Sequence, residues 1–163
     1  MVKKNGFTLM ELMTVVSIMG ILFAVGAPIL NQANRNFILT RTKLELQQEA
    51  RALIYLITRN LRQAQNSTIS ISRHNSNQPF YSKVTFTKVD GKVFTFYQEG
   101  KTFKMTQGSM TKGFSKNIKY LAFMFPESSV MDIVSISLTF EKAIFEGRTK
   151  ALHMSSEKVR VMN

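Results

Sequence analysis

Cysteine and tryptophan are both absent from the 163 residues. Without cysteine there is no disulfide framework, no thiolate metal site and no cysteine nucleophile. Histidine and aspartate occur twice each, at His74, His153, Asp90 and Asp132, far apart and without metal-ligand spacing. His74 therefore reads as a solvated loop residue and His153 as an ordinary strand residue, and neither a metal nor a cofactor is expected. There is no G-x-S-x-G, no glycine-rich phosphate loop and no H-E-x-x-H, so the expectation is a protein that is not an enzyme. Acidic residues are scarce, 10 against 22 Lys and Arg, for a net charge of +12. That charge is spread as +1 over residues 1–34, +4 over 35–65 and +7 over 66–163, and no basic run exceeds two residues. A concentrated nucleic-acid footprint is thereby missing.

What the chain does have is one long apolar run, Gly6–Leu30, in which Glu11 is the only charge. As a helix rising about 1.5 Å per residue, two dozen residues cross a hydrocarbon core of about 30 Å. Lys3 and Lys4 before the run favour a cytoplasmic N-terminus, but Arg35, Arg41 and Lys43 stand beyond the other end, so charge leaves the orientation open. An uncleaved signal anchor carrying an exported binding domain is one reading. A Sec-type signal peptide is a second, since Ala24-Val25-Gly26 offers small residues after an apolar core. A carboxylate in a membrane helix costs about 2.5–3.5 kcal/mol at mid-bilayer, so Glu11 calls for a partner and reads as functional. Ser17, Gly20, Ala24 and Ala27 recur at spacings of three, four and three, which lays small side chains along one face as a candidate packing surface. Pro28 removes an intrahelical hydrogen bond, and a bend or loosened turn is expected near 26–28.

A third reading rests on Gly6-Phe7-Thr8-Leu9-Met10-Glu11. This hexapeptide, with its short basic leader and following apolar stretch, resembles the cleavage and methylation motif of type IV prepilins and type II secretion pseudopilins. The resemblance implies cleavage between Gly6 and Phe7 by prepilin peptidase, N-methylation of Phe7, and a role for Glu11 in pairing with such an amine as subunits enter a filament. It also implies a cytoplasmic N-terminus, an inner-membrane helix and an extracytoplasmic domain. With Asp90 and Asp132 the only aspartates, any case for the oxygen-rich calcium site that some major pseudopilins carry is weakened.

From residue 31 to 65 the helical pattern becomes amphipathic. Leu46, Ala50, Leu53, Ile57, Leu61 and Ala64, widened by Ile54, form one apolar face, with Arg51, Arg59 and Arg62 off it. Phe37, Ile38 and Leu39 lie nearer the membrane, where they would face neighbouring subunits. Arg59-Asn60-Leu61-Arg62-Gln63-Ala64 resembles the segment before the first strand of J-type minor pseudopilins and W-type minor pilins. The ending Val159-Arg160-Val161-Met162-Asn163 is similar to their basic-residue-then-Asn terminus, with Met162 a departure.

After Asn66 the period falls to two. Residues 68–72, 83–89, 92–97 and 101–106 read as strands, the last three a meander around Asp90-Gly91 and Glu99-Gly100. Val84, Phe86, Phe94, Phe96, Phe103 and Met105 are the inward set. Residues 107–116 read as an exposed loop, 118–125 and 132–140 as two further strands, 148–154 as an added strand, and 158–162 as a last strand or irregular tail.

The expectation is thus an α+β, pilin-like fold: leader 1–6, membrane or filament-core helix 7–30, amphipathic continuation 31–65, and antiparallel β-sheet domain 66–163. The function the resemblance implies is a minor pseudopilin or minor pilin in tip-complex assembly and protein export. Its partners would be other minor and major pilins or pseudopilins, the prepilin peptidase, the inner-membrane assembly platform, the lipid bilayer and an exported substrate. A competence-type minor pilin binding DNA is the alternative. It would use the +10 that remains after the leader lysines are lost, with Lys83, Lys88, Lys92, Lys101 and Lys104 as first contacts.

Overall fold

The computed structural model describes Gly6, residues 8–127, 132–145 and 149–162. The chain divides into two compact units, Met1–Thr40 and Arg41–Asn163. Among the described residues the elements run as helix α1 (Leu9–Leu61), a short 3-10 turn (Asn66–Thr68), and eight strands: β1 (Ser70–Ser72), β2 (Lys83–Thr87), β3 (Val93–Glu99), β4 (Thr102–Gln107), β5 (Met110–Ser115), β6 (Ile118–Met124), β7 (Ile133–Phe145) and β8 (Thr149–Arg160). This is the expected α+β, pilin-like architecture, with a long apolar N-terminal helix and antiparallel sheets.

In the first unit α1 continues through Pro28 without interruption, so no turn is lost from the helix there. The apolar residues of this stretch, among them Leu12, Val16, Phe23 and Leu30, are exposed.

In the second unit the helix buries the face foreseen for it. Leu46, Ala50, Leu53, Ile54, Ile57, Leu61 and Ala64 all enter the core, while Arg51, Tyr55, Arg59 and Arg62 stay at the surface. The helix ends at Leu61, a turn earlier than the amphipathic pattern suggests. The reason is tertiary: Gln63 and Ala64 tighten to bonds on the carbonyls three residues back, at 3.2 and 3.0 Å, and the Gln65 N–H then donates to Thr87 at 2.9 Å. Backbone partners on β2 and the residues after it replace those the helix would have supplied. Residues 66–68 accordingly coil into the 3-10 turn, and the first strand is shortened to Ser70–Ser72.

The strands form two sheets, one in the order β1-β2-β3-β4-β5 and one in the order β6-β7-β8, antiparallel throughout. The meander follows its alternation: Val84, Phe86, Phe94, Phe96 and Phe103 are buried and Met105 packs against them. Gly91 adopts φ +78° in the Asp90-Gly91 turn, a conformation costly to any residue with a Cβ. Gly108, at φ +59°, turns the chain into β5. Here the loop expected over residues 107–116 is corrected: the segment is an edge strand paired to β4. Its polarity correctly signalled exposure, since only Ser115 of β5 is buried, but an exposed edge strand and an exposed loop share that composition. The C-terminal region is corrected as well, the separate strand and tail being one twelve-residue strand, β8, held along its length by β7. Arg148, where the first of those was expected to begin, lies outside the described residues.

Both sheets share one core. Phe123 and Ile118 of β6 donate their N–H groups to Tyr81 and Lys101 at 2.8 and 2.9 Å, and Ile136, Leu138 and Phe140 of β7 join the same buried cluster. On β7, Glu141 receives Lys119 of β6 and Lys150 of β8, each at 2.8 Å, and is 11% exposed. The two paired lysines hold its carboxyl down at about 2, against an ordinary 4.5. A carboxylate depressed in the folded state stabilises it fully above its unfolded pKa and loses that contribution as pH falls toward the folded value. Between pH 4.5 and 2 the wild type should lose stability faster than Glu141→Gln, read from denaturant midpoints across that window. Parallel curves for the two chains would remove the three-strand ion cluster as the cause.

Candidate processing and assembly site

The candidate site lies at the start of α1, where the chain leaves its basic leader. Phe7, the expected methylation point, and leader residues 1–5 lie outside the described residues. Gly6 is described and exposed.

The helix begins with a reciprocal cap built by Thr8-Leu9-Met10-Glu11. The Thr8 hydroxyl accepts from the Glu11 N–H at 3.3 Å, and the Glu11 carboxylate accepts from the Thr8 N–H at 2.9 Å and the Thr8 hydroxyl at 3.0 Å. This is a capping box, in which threonine and a carboxylate three residues on satisfy each other's backbone donors, which have no intrahelical carbonyl partner in the first turn. A negative charge in the first turn also complements the helix dipole. Glu11 thus caps the helix in addition to the charge role expected of it, and Thr8 is its partner. The T-x-x-E spacing that signals the cap was there to be read.

Further along, Thr14 and Ser17 donate their hydroxyls to the carbonyls of Met10 and Met13, each at 2.8 Å. Hydroxyls satisfied within the helix carry little penalty into lipid. Among the described residues one helix, α1, is long and apolar enough to cross a membrane, and its apolar window is wholly unburied within the chain. Beyond their chain neighbours and the helix's own backbone, Gly20 and Gly26 have no described atom within 4 Å of where a Cβ would stand. Helical spacing puts Ser17, Gly20, Ala24 and Ala27 along one strip. A shallow groove of about 480 Å³ follows a neighbouring strip, lined by Met19, Leu22, Phe23, Gly26, Ala27 and Leu30. Ala27 is common to both, and Gly26, missing from the sequence-based strip, floors the groove.

Elsewhere the other candidates are dispersed. His74 stacks on Tyr97 with ring centroids 4.0 Å apart, and His153 pairs with Phe140 across β7 and β8. Of the five meander lysines, Lys92 pairs with Asp90 at 3.0 Å and Lys104 pairs with Glu99. Lys88 lies 4.4 Å over the Phe94 ring and donates to Gln63. Among the described residues no group of three His, Asp or Glu side chains is arranged to hold a metal ion.

Comparison with known proteins places the motif without extending it to the globular unit. The family described as the prokaryotic N-terminal methylation motif matches residues 1–27. No curated protein and no solved structure matches the chain. The match covers Gly6-Phe7, the capping box and most of the apolar helix, and fits an inner-membrane anchor. Residues 1–27 thus carry a prepilin-type methylation signal, which supports a type IV pilin- or pseudopilin-like role for the chain.

Proposed function

We propose that the chain is a minor pseudopilin or minor pilin, most like the J- and W-type proteins, that acts as a structural subunit rather than an enzyme. In this reading it inserts with its N-terminus in the cytoplasm. Prepilin peptidase removes residues 1–6, Phe7 is methylated, and the processed subunit joins other pilins on the inner-membrane platform as part of a tip complex. The observation that carries the reading is the methylation motif at residues 1–27, most of which lies on an apolar helix stretch with no buried residue. Unburied apolar surface of this length suits a lipid bilayer first and a filament core afterwards, where small residues such as Gly20 and Ala24 let helices approach closely.

Mass spectrometry of the protein purified from its native membrane tests this at the first step. The expected N-terminus is Phe7 bearing one methyl group on its amine. An intact Met1, or a terminus at Ala27 or beyond as a Sec-type cleavage would leave, overturns the proposal.

A further inference from the structure

The globular unit carries a second feature that the filament reading does not use. A groove of about 840 Å³ runs between the last turns of α1 and strand β8, lined by Arg51, Thr58, Arg59 and Arg62 on one side and by Ser155 and Glu157 on the other. Ile54, Tyr55 and Met162 add apolar surface to it. Positions 51, 55, 58, 59 and 62 follow helical spacing, so the three guanidinium groups share one face over about 16 Å of helix. None of the three makes an ion pair with a described residue, although five of the protein's carboxylates, at residues 45, 90, 99, 132 and 141, are ion-paired elsewhere. Gln63 extends the basic strip to Lys88, whose ammonium donates to its side chain at 3.0 Å.

An independent observation lies in the groove wall. Thr58 is 93% buried, being 7% exposed, and its hydroxyl has no hydrogen-bond partner. A helical threonine can satisfy itself on the carbonyl four residues back, as Thr14 does. Thr58 does not, and an orphaned buried hydroxyl costs free energy unless something else supplies its partner. On the other wall β8 is the outer strand of its sheet, so one of its backbone edges is unpaired among the described residues.

We infer that this groove is a docking site for an extended acidic segment of a partner protein, which lies along the β8 edge and places carboxylates on Arg51, Arg59 and Arg62. Guanidinium forks match carboxylates in bidentate geometry, and a free strand edge accepts an extended peptide by backbone pairing. About 16 Å of groove accommodates about five residues at 3.3 Å each. The mixed lining favours a peptide over a nucleic acid, since Ile54, Tyr55 and Met162 offer apolar surface to side chains.

The test uses the full-length chain in detergent micelles and a fluorescein-labelled peptide of alternating Asp and Leu, with a Lys-Leu peptide and a single-stranded oligothymidylate of equal length as comparisons. Anisotropy should show saturable binding of the acidic peptide alone. The exposed double substitution Arg59→Gln/Arg62→Gln should weaken it at least about tenfold with an unchanged circular dichroism spectrum. Thr58→Val, near-identical in shape, should weaken it several-fold without lowering the melting temperature. No saturable binding up to about 1 mM, equal binding of the Lys-Leu peptide, or undiminished binding by the double variant overturns the inference. Tighter binding of oligothymidylate overturns it in favour of a nucleic-acid groove. None of these outcomes depends on processing at Gly6, so failure here and failure of the filament reading are distinguishable.

Discussion

Glu11→Gln should insert into the membrane as the wild type does, begin α1 at the same residue, and be lost from filaments. The capping box makes this substitution sharper than removal of the side chain. Glutamine three residues after the cap still accepts from a backbone N–H, so the local bonds that Glu11 makes to Thr8 can be kept while the charge is lost. Thr8→Ala does the converse, removing the cap at a cost of about 0.5–2 kcal/mol to the helix start while leaving the carboxylate. If Glu11 is paired with a neighbouring subunit's amine in a water-poor filament core, deleting one partner costs about 3–5 kcal/mol. Incorporation of Glu11→Gln should then fall at least about tenfold, as measured by the chain recovered in sheared filaments relative to the membrane, with Thr8→Ala much less affected. Wild-type incorporation of Glu11→Gln together with loss of Thr8→Ala would reduce Glu11 to a helix cap.

Phe96→Ala should be the most damaging single change in the globular unit. Phe96 sits mid-strand in β3, fully buried, between Val84 and Met105 on the adjoining strands. Its ring lies 5.7 Å from that of Phe86 and 5.8 Å from that of Phe103, at the centre of an aromatic row spanning β2, β3 and β4. Removing it from so packed a setting costs about 3–5 kcal/mol. Against a typical domain stability of about 5–15 kcal/mol, that is a large share of the total. Phe114→Ala is the control, since Phe114 projects from edge strand β5 at 42% exposure and should cost less than about 1 kcal/mol. Urea unfolding of the full chain followed by circular dichroism in the β-sheet region reads both. Similar midpoints for the two variants would show that the core is not organised around the β2–β4 aromatic row.

Elements specified by local pattern were legible from the residues alone. The buried stripe of α1, the Asp90-Gly91 hairpin and the alternation of β7 each carry their own period or turn chemistry, and each is where that chemistry puts it. Local pattern failed where the deciding partner is distant. Met110–Ser115 has almost no buried side chain to announce a strand, and its pairing comes from β4. Residues 155–158 look like an interruption because Ser155, Ser156, Glu157 and Lys158 are polar, yet β7 supplies the opposing backbone across all four. The helix ends at Leu61 where the Gln65 N–H turns to the Thr87 carbonyl and the Gln63 carbonyl accepts from Val89, a choice no capping residue records.

The same division applies to function. Sequence by itself determined the processing signal, the membrane helix and the single charge at Glu11, because cleavage, insertion and helix capping act on consecutive residues. Tertiary structure alone decided the arginine groove. Arg51, Arg59 and Arg62 share a helix face by spacing, but the facing wall comes from β8, nearly a hundred residues later, and Thr58 became an orphaned donor only when the core closed over it. Burial and strand pairing are properties of the packed chain, so a site made from them has no signature along the sequence.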